Sequence, residues 1–190
     1  MTRPRNPLRS ALRVLQGGRD PAARLGPVLV VVSGPDRPPF PVEALVLEED
    51  TFLVLSAEPT VVDPPEEPMR LMTRLIETLP ETPGSVLVRE RDPVRMLAVV
   101  HDVNQDPSWR EAWVHRALEG ALQEAEQRGM RSLGLEMLGC MHGRLEPFRF
   151  ASLLKSTLER MAPRRVRRIW LMSSRRRTPE EIGRFLREAP

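Results

Sequence analysis

What most constrains this chain is an alternation. Short apolar runs take turns with longer stretches whose apolar residues recur at helical spacing. Val28–Val32 is apolar at every position, as a strand covered on both faces must be. Ala44–Leu47 and Thr51–Leu55 are two more runs, and Glu48-Glu49-Asp50 between them suggests a hairpin. A proline-rich acidic stretch, Asp63 to Pro68, leads into a helical stripe of Met69, Met72, Leu75, Ile76 and Leu79. Ser85–Val88 and Met96–Val100 read as strands joined by a charged turn containing Asp92-Pro93.

The pattern then strengthens. Ser108 and Glu111 form a capping-box pair ahead of a stripe of Val114, Ala117, Leu118, Ala121, Leu122 and Ala125, which Gly129 ends. Ser132–Leu135 is a strand. Leu153, Leu154, Thr157, Leu158 and Met161 mark the inward side of another helix. Val166–Met172 is the last strand, and Thr178, Pro179 and Glu181 open a last helix with Ile182, Phe185 and Leu186 on its apolar side. Strands alternating with helices predict an α/β fold: a three-layer α/β/α sandwich around a mixed, mostly parallel sheet.

Composition removes several chemistries. Cys140 is the one cysteine, so neither an internal disulfide nor a Cys-rich zinc site can form. Tyrosine is absent, and Lys155 is the sole lysine on which a Schiff base could form. No run reaches the apolar length that crosses a bilayer. The pI of 10.2 overstates the basicity. With 28 arginines and almost nothing else that titrates above neutral pH, a net charge of +3 persists to high pH.

The charge is unevenly placed. Residues 1–40 carry +5, 41–100 carry −7, 101–150 carry −2 and 151–190 carry +7. Basic ends around an acidic middle suggest internal matching or a partner surface, although solvated charged faces give the same pattern. Arg164, Arg165, Arg167, Arg168, Arg175, Arg176 and Arg177 flank the last strand and are the candidates for phosphate contacts with RNA or for a protein partner. Aromatic residues are only 4% of the chain, which argues against base-stacking recognition of single strands. The N-terminal stretch lacks the continuous apolar core of a secretory signal. Asn6, Pro7, Leu8, Leu12 and Leu15 fit a short helix, so residues 1–25 are expected as a helical extension and 26–190 as the α/β domain, in a cytoplasmic protein.

The turn after the Ser132 strand reads Leu138-Gly139-Cys140-Met141-His142-Gly143-Arg144-Leu145. Loops of this kind at the carboxyl ends of strands can aim backbone N–H groups at an anion. The same glycines would also serve a tight turn. Of the three histidines, His101 is expected in the core and His115 on the surface. His142 alone stands where chemistry could occur, but Cys140 and His142 are too few ligands for zinc and lack an evident orienting acid, Glu136 and Glu146 being the nearest. Trp109 and Trp113 share a helix face and are expected to pack. No catalytic residue, metal or cofactor is expected.

The stretch from Gly84 to Met172 resembles the macro domain, an ADP-ribose-binding α/β module. Val99-Val100-His101 is similar to that family's Val-Ile-His signature, and Glu43-Ala44-Leu45-Val46 to its Asp-Ala-Ile-Val strand. Leu138-Gly139-Cys140-Met141-His142-Gly143 stands at the family's glycine-rich second loop. The resemblance implies a macro-like fold and an ADP-ribose or related phosphate ligand at Gly139, Cys140, Met141, His142, Gly143 and Arg144, with Asp50 in the place of an asparagine near the distal ribose. The departures concentrate at that site. Where the family has Asn-Ala-Ala-Asn, this chain has Leu47-Glu48-Glu49-Asp50. Where it has a glycine-rich first loop, this chain has Val61-Val62-Asp63-Pro64-Pro65-Glu66-Glu67-Pro68. Prolines remove N–H donors and carboxylates repel phosphate. The expectation is therefore a divergent module that binds its ligand weakly without hydrolysing it, with hydrolysis of an ADP-ribosyl substrate through His142 as the minority reading. The alternative is a scaffold that has lost the small-molecule site and engages a protein or RNA through its basic termini.

Overall fold

The computed structural model describes residues 20–55, 79–173 and 177–188. Seven strands form one sheet: β1 (Ala22–Leu25), β2 (Val28–Ser33), β3 (Ala44–Asp50), β4 (Val86–Arg89), β5 (Val94–His101), β6 (Ser132–Glu136) and β7 (Arg168–Met172). Their order is β1-β2-β7-β6-β3-β5-β4. The five inner strands run parallel, and β1 and β4 pair antiparallel at the two edges. The fold is an α/β sandwich with a mixed, mostly parallel sheet.

Three helices are described: α1 (Glu111–Gln127), α2 (Pro147–Met161) and α3 (Pro179–Glu188). They pack in a row on one face, α1 over β5 and β4, α3 over β1 and β2, and α2 between them. Alternate residues of the strands meet them: Val30, Val32, Ala44, Val46, Met96, Ala98, Val100, Leu133 and Leu135 join the stripe of α1 and Phe150, Leu154 and Leu158 of α2 in one core. Leu97, Val99 and Trp170 are buried on the other side of the pleat, so both faces of the central strands are covered. The helix expected around Met69 to Leu79 lies outside the described residues up to position 78.

Several expectations change. Ala22–Leu25 is a strand paired with β2, and the short helix expected over Asn6 to Leu15 lies outside the described residues. The hairpin around Glu48 does not form: β3 continues through Glu48 and Glu49 to Asp50, and Thr51–Leu55 is a turn. The run is too short to return as a strand once Asp50 gathers its amides. The last strand starts at Arg168, with Val166 buried ahead of it.

Two sequences look alike as capping boxes and behave differently. At α3, Thr178 and Glu181 cap reciprocally: the Thr178 N–H donates to Glu181 Oε2 at 2.8 Å and the Glu181 N–H to Thr178 Oγ1 at 3.3 Å. At α1 the N-cap is Arg110 and no side chain caps the helix. Ser108 cannot reach, because its carbonyl accepts the Asp102 N–H and Trp109 forms a bridge with His101, extending the end of β5. Glu111 instead pairs with Arg149 on α2 at 2.6 Å.

Candidate anion-binding loop

Parallel strands β3, β5 and β6 deliver their carboxyl ends to one place, where open α/β sheets hold ligands. β6 runs into Met137–Leu145, a compact turn closed by Cys140 N–H donating to the Met137 carbonyl and Leu145 N–H to the Gly139 carbonyl. Gly139 has φ +77°, where a side chain is strained. A Cβ on Gly143 would stand 2.3 Å from the Gly139 oxygen. The glycines therefore serve the tight turn, and the turn does present amides.

Those amides already hold a carboxyl group of the chain itself. The Gly139 N–H donates to Glu48 Oε2 at 2.8 Å and the His142 N–H to Glu48 Oε1 at 3.1 Å. His101 Nε2 lies 2.5 Å from the same Oε1. Glu48 and His101 are 4% and 3% exposed, so this is an internal polar network. The Glu48 N–H in turn donates to Glu136 Oε2 at 2.7 Å.

The neighbouring acids are engaged in the same way. Glu49 Oε1 accepts the N–H of Asp50 and Leu55 at 3.0 and 2.9 Å. Asp50 takes the N–H of Phe52 on one oxygen and those of Val54 and Leu55 on the other, so it builds the turn after β3. Burial pushes the Glu136 carboxyl above its ordinary value. The Glu48 amide opposes this, and the Glu48 and Glu49 charges add to it.

The expected site residues are brought to this end of the sheet and differ in access. Cys140 is 1% exposed, and Gly139, Gly143 and Asp50 are buried. Met141 is 48% exposed, and His142 and Arg144 also face outward. The His142 ring meets His101 edge-on at 6.2 Å. His101 packs in the interior as expected, although it has a carboxyl partner. Trp113 is buried and Trp109 rests partly buried against the core. Among the described residues no group of three or more His, Cys, Asp or Glu is arranged to hold a metal ion. No described helix is long and apolar enough to cross a membrane.

Sequence reasoning passed over Glu48 as a site residue, treating it as part of a polar turn. The available signal was its place: two acids ending an apolar strand, where the resembling family has two alanines.

No protein-family model and no curated protein matches the sequence. Solved structures do match in fold. The Oceanobacillus iheyensis macrodomain with ADP superposes with a TM-score of 0.61 at 13% identity, over 87% of this chain and 93% of that one. A variant of that macrodomain with ADPR gives 0.60 at 12% identity, over 87% and 95%. The macrodomain of Thermus aquaticus DarG gives 0.55 at 18% identity, over 76% and 98%. At these identities the likeness is one of fold, and the fold is that of a divergent macrodomain.

Proposed function

We propose that this chain is a macrodomain-fold module that binds ADP-ribose or a related nucleotide only weakly and does not hydrolyse it. The observation that carries this is the Glu48 carboxyl seated on the Gly139 and His142 amides. Neighbours in fold were solved with ADP and with ADPR, which supports a nucleotide as the ligand class. A diphosphate entering this loop must displace a carboxyl that already holds two amides and His101. It must also approach Glu49, Asp50 and Glu136, and like charges at short range oppose it. In this reading Gly139 and His142 supply amides, Met141 and Arg144 reach in from the rim, and Asp50 shapes the adjoining turn. Burial of Cys140 and the backbone N–H hydrogen bonds accepted by Glu49 and Asp50 argue against those three side chains as nucleophile or general base, which supports the non-hydrolytic reading.

Calorimetric titration with ADP-ribose and with inorganic diphosphate tests this on the wild type, Glu48→Gln and Glu48→Ala. The wild type is expected to give no saturable heat below millimolar ligand. Freeing the amides in Glu48→Ala is expected to tighten diphosphate binding by about tenfold or more, which is about 1.4 kcal/mol. Glu48→Gln keeps the side-chain volume and guards against loss of the fold. Micromolar binding by the wild type, or folded variants that bind no better than it, sinks the reading.

A further inference from the structure

The opposite edge of the sheet, where β6 and β7 begin, gathers five arginines. Arg131 precedes β6, and its carbonyl accepts the N–H of Arg167 and of Arg168 at 2.9 and 3.1 Å. The Arg167 carbonyl accepts the Leu29 N–H, which ties this corner to β2. Arg164 and Arg165 lie in the turn before β7, with their backbone N–H groups on the Glu126 carboxyl at 2.9 and 2.7 Å. All five side chains are exposed. Among the described residues none of the five guanidinium groups is in an ion pair.

The nearby acids are engaged by backbone amides rather than by guanidinium ion pairs, although the charges of Arg131 and Arg165 bear on Glu43 and Glu126. Glu43 Oε2 accepts the N–H groups of Arg131 and Ser132 and the Ser132 hydroxyl. Glu126 accepts three amides, those of Arg164, Arg165 and Val166. Glu90 and Glu124 both pair with Arg128. Arg168 lies over the Phe40 ring at 4.9 Å, which fixes its direction without neutralising it. By contrast Arg177, near the far end of β7, is held by Glu146 and Glu181, and Arg175 and Arg176 lie outside the described residues. Among the described residues, Arg177 after the last strand is therefore paired and set apart from the arginines before it.

Glu43 and Glu126 feel the charges of Arg131 and Arg165 but are outnumbered by the five arginines, so the excess positive charge is matched by counterions, and a polyanion that replaces them gains from their release. The guanidinium fork fits two phosphate oxygens at once. What this edge lacks decides between polyanions. Protein interfaces centre on buried apolar or aromatic anchors. Of the exposed large hydrophobics among the described residues, Val54, Leu55, Val103 and Met141 follow the carboxyl ends of β3, β5 and β6, and Leu79 lies two residues before Glu81, whose N–H bonds the Thr51 carbonyl at that same end. Single-strand binders use aromatic platforms, and Phe40 here lies under an arginine.

From this we infer that the amino-terminal edge of the sheet binds the phosphate backbone of duplex nucleic acid without sequence preference, through Arg131, Arg164, Arg165, Arg167 and Arg168. The inference is independent of whether Glu48 closes the other site.

Fluorescence anisotropy with a short labelled DNA duplex, titrated over a range of salt, tests it on the full chain. Five contacts predict a slope of log K against log salt of roughly −4 to −5. The triple change Arg131→Gln, Arg165→Gln and Arg167→Gln is expected to lower that slope by about 3 and to cut low-salt affinity by about tenfold or more. Arg149→Gln, which breaks a pair on the helical face, is expected to leave binding unchanged. A thermal midpoint equal to the wild type's shows that the triple variant is folded. No binding at low salt, an unaltered slope in the triple variant, or an equal loss in Arg149→Gln overturns the inference. So does equal or tighter binding to polyglutamate, to anionic vesicles or to a single strand of the same length.

Discussion

Both edges of the parallel sheet set acidic side chains against backbone amides, under opposite conditions. At the amino edge Glu43 and Glu126 lie near solvent. Burial is the largest single influence on each and raises it, but the hydrogen-bond donors together, helped by the charges of Arg131 and Arg165, outweigh it, so both carboxyls are held below the ordinary value. At the carboxyl edge Glu48 and Glu49 are buried, and burial holds Glu136 above it. The donors are alike and the surroundings decide the outcome. At the amino edge the acids pin the entries to β6 and β7 and leave arginines unpaired. At the carboxyl edge they fill a cradle that an outside anion would use.

If the carboxyl edge is a closed internal network, breaking it must be the most damaging change. Glu48→Ala orphans the Gly139 and His142 amides and leaves His101 without its partner. The expected loss is about 3–5 kcal/mol, the size seen when one member of a buried pair is removed. Denaturant unfolding measures it. A loss under about 1 kcal/mol is what a solvated surface carboxyl would give and would mean that water reaches this network.

Glu126→Ala probes the amino edge at a smaller scale. Three amides lose an acceptor, but water can reach them, so the expected loss is about 1–2 kcal/mol, comparable to a helix cap. The Glu126 pKa is lowered in the fold, so its contribution is present at neutral pH and is lost as pH falls through the lowered value. The gap between wild type and variant should therefore narrow in acid. A gap that is constant with pH would show that the charge on Glu126 contributes nothing.

The sheet itself was legible because apolar period and helical spacing are local properties. Val28–Val32, Met96–Val100 and the stripe from Val114 to Ala125 all stand where their patterns put them. β1 was hidden because Ala22–Leu25 is only four residues, too short for its alternation of buried Ala23 and Leu25 about exposed Arg24 to be read as a period. Glu48 was hidden for a stronger reason. Acids are almost never fully buried unless paired, so a run of three reads as a turn. Its partners are His101 and the Gly139 loop, which only the parallel pairing of β3 with β5 and β6 brings near. Ser108 and Thr178 make the same point. The local signature is shared, and the neighbouring bridge between His101 and Trp109 removes one of the two caps.

Glu136→Gln gives the finest separation of the two edges, because its pH signature runs the other way. A carboxyl whose folded pKa is raised favours the fold while protonated, and that contribution is lost as pH rises through the folded value. Glutamine keeps an oxygen for the Glu48 amide and does not ionise. Stability of the variant relative to wild type should therefore grow as pH rises above the ordinary carboxyl range, whereas the Glu126→Ala deficit opens below that range and is constant above it. The change is expected to be smaller than either of the others, because no hydrogen bond need be lost. Thermal unfolding of both variants across a common pH series reads the two signs directly. If the two differences move in the same direction, burial does not distinguish the edges, and Glu136 must have access to water that neutralises the influence of Glu48 and Glu49.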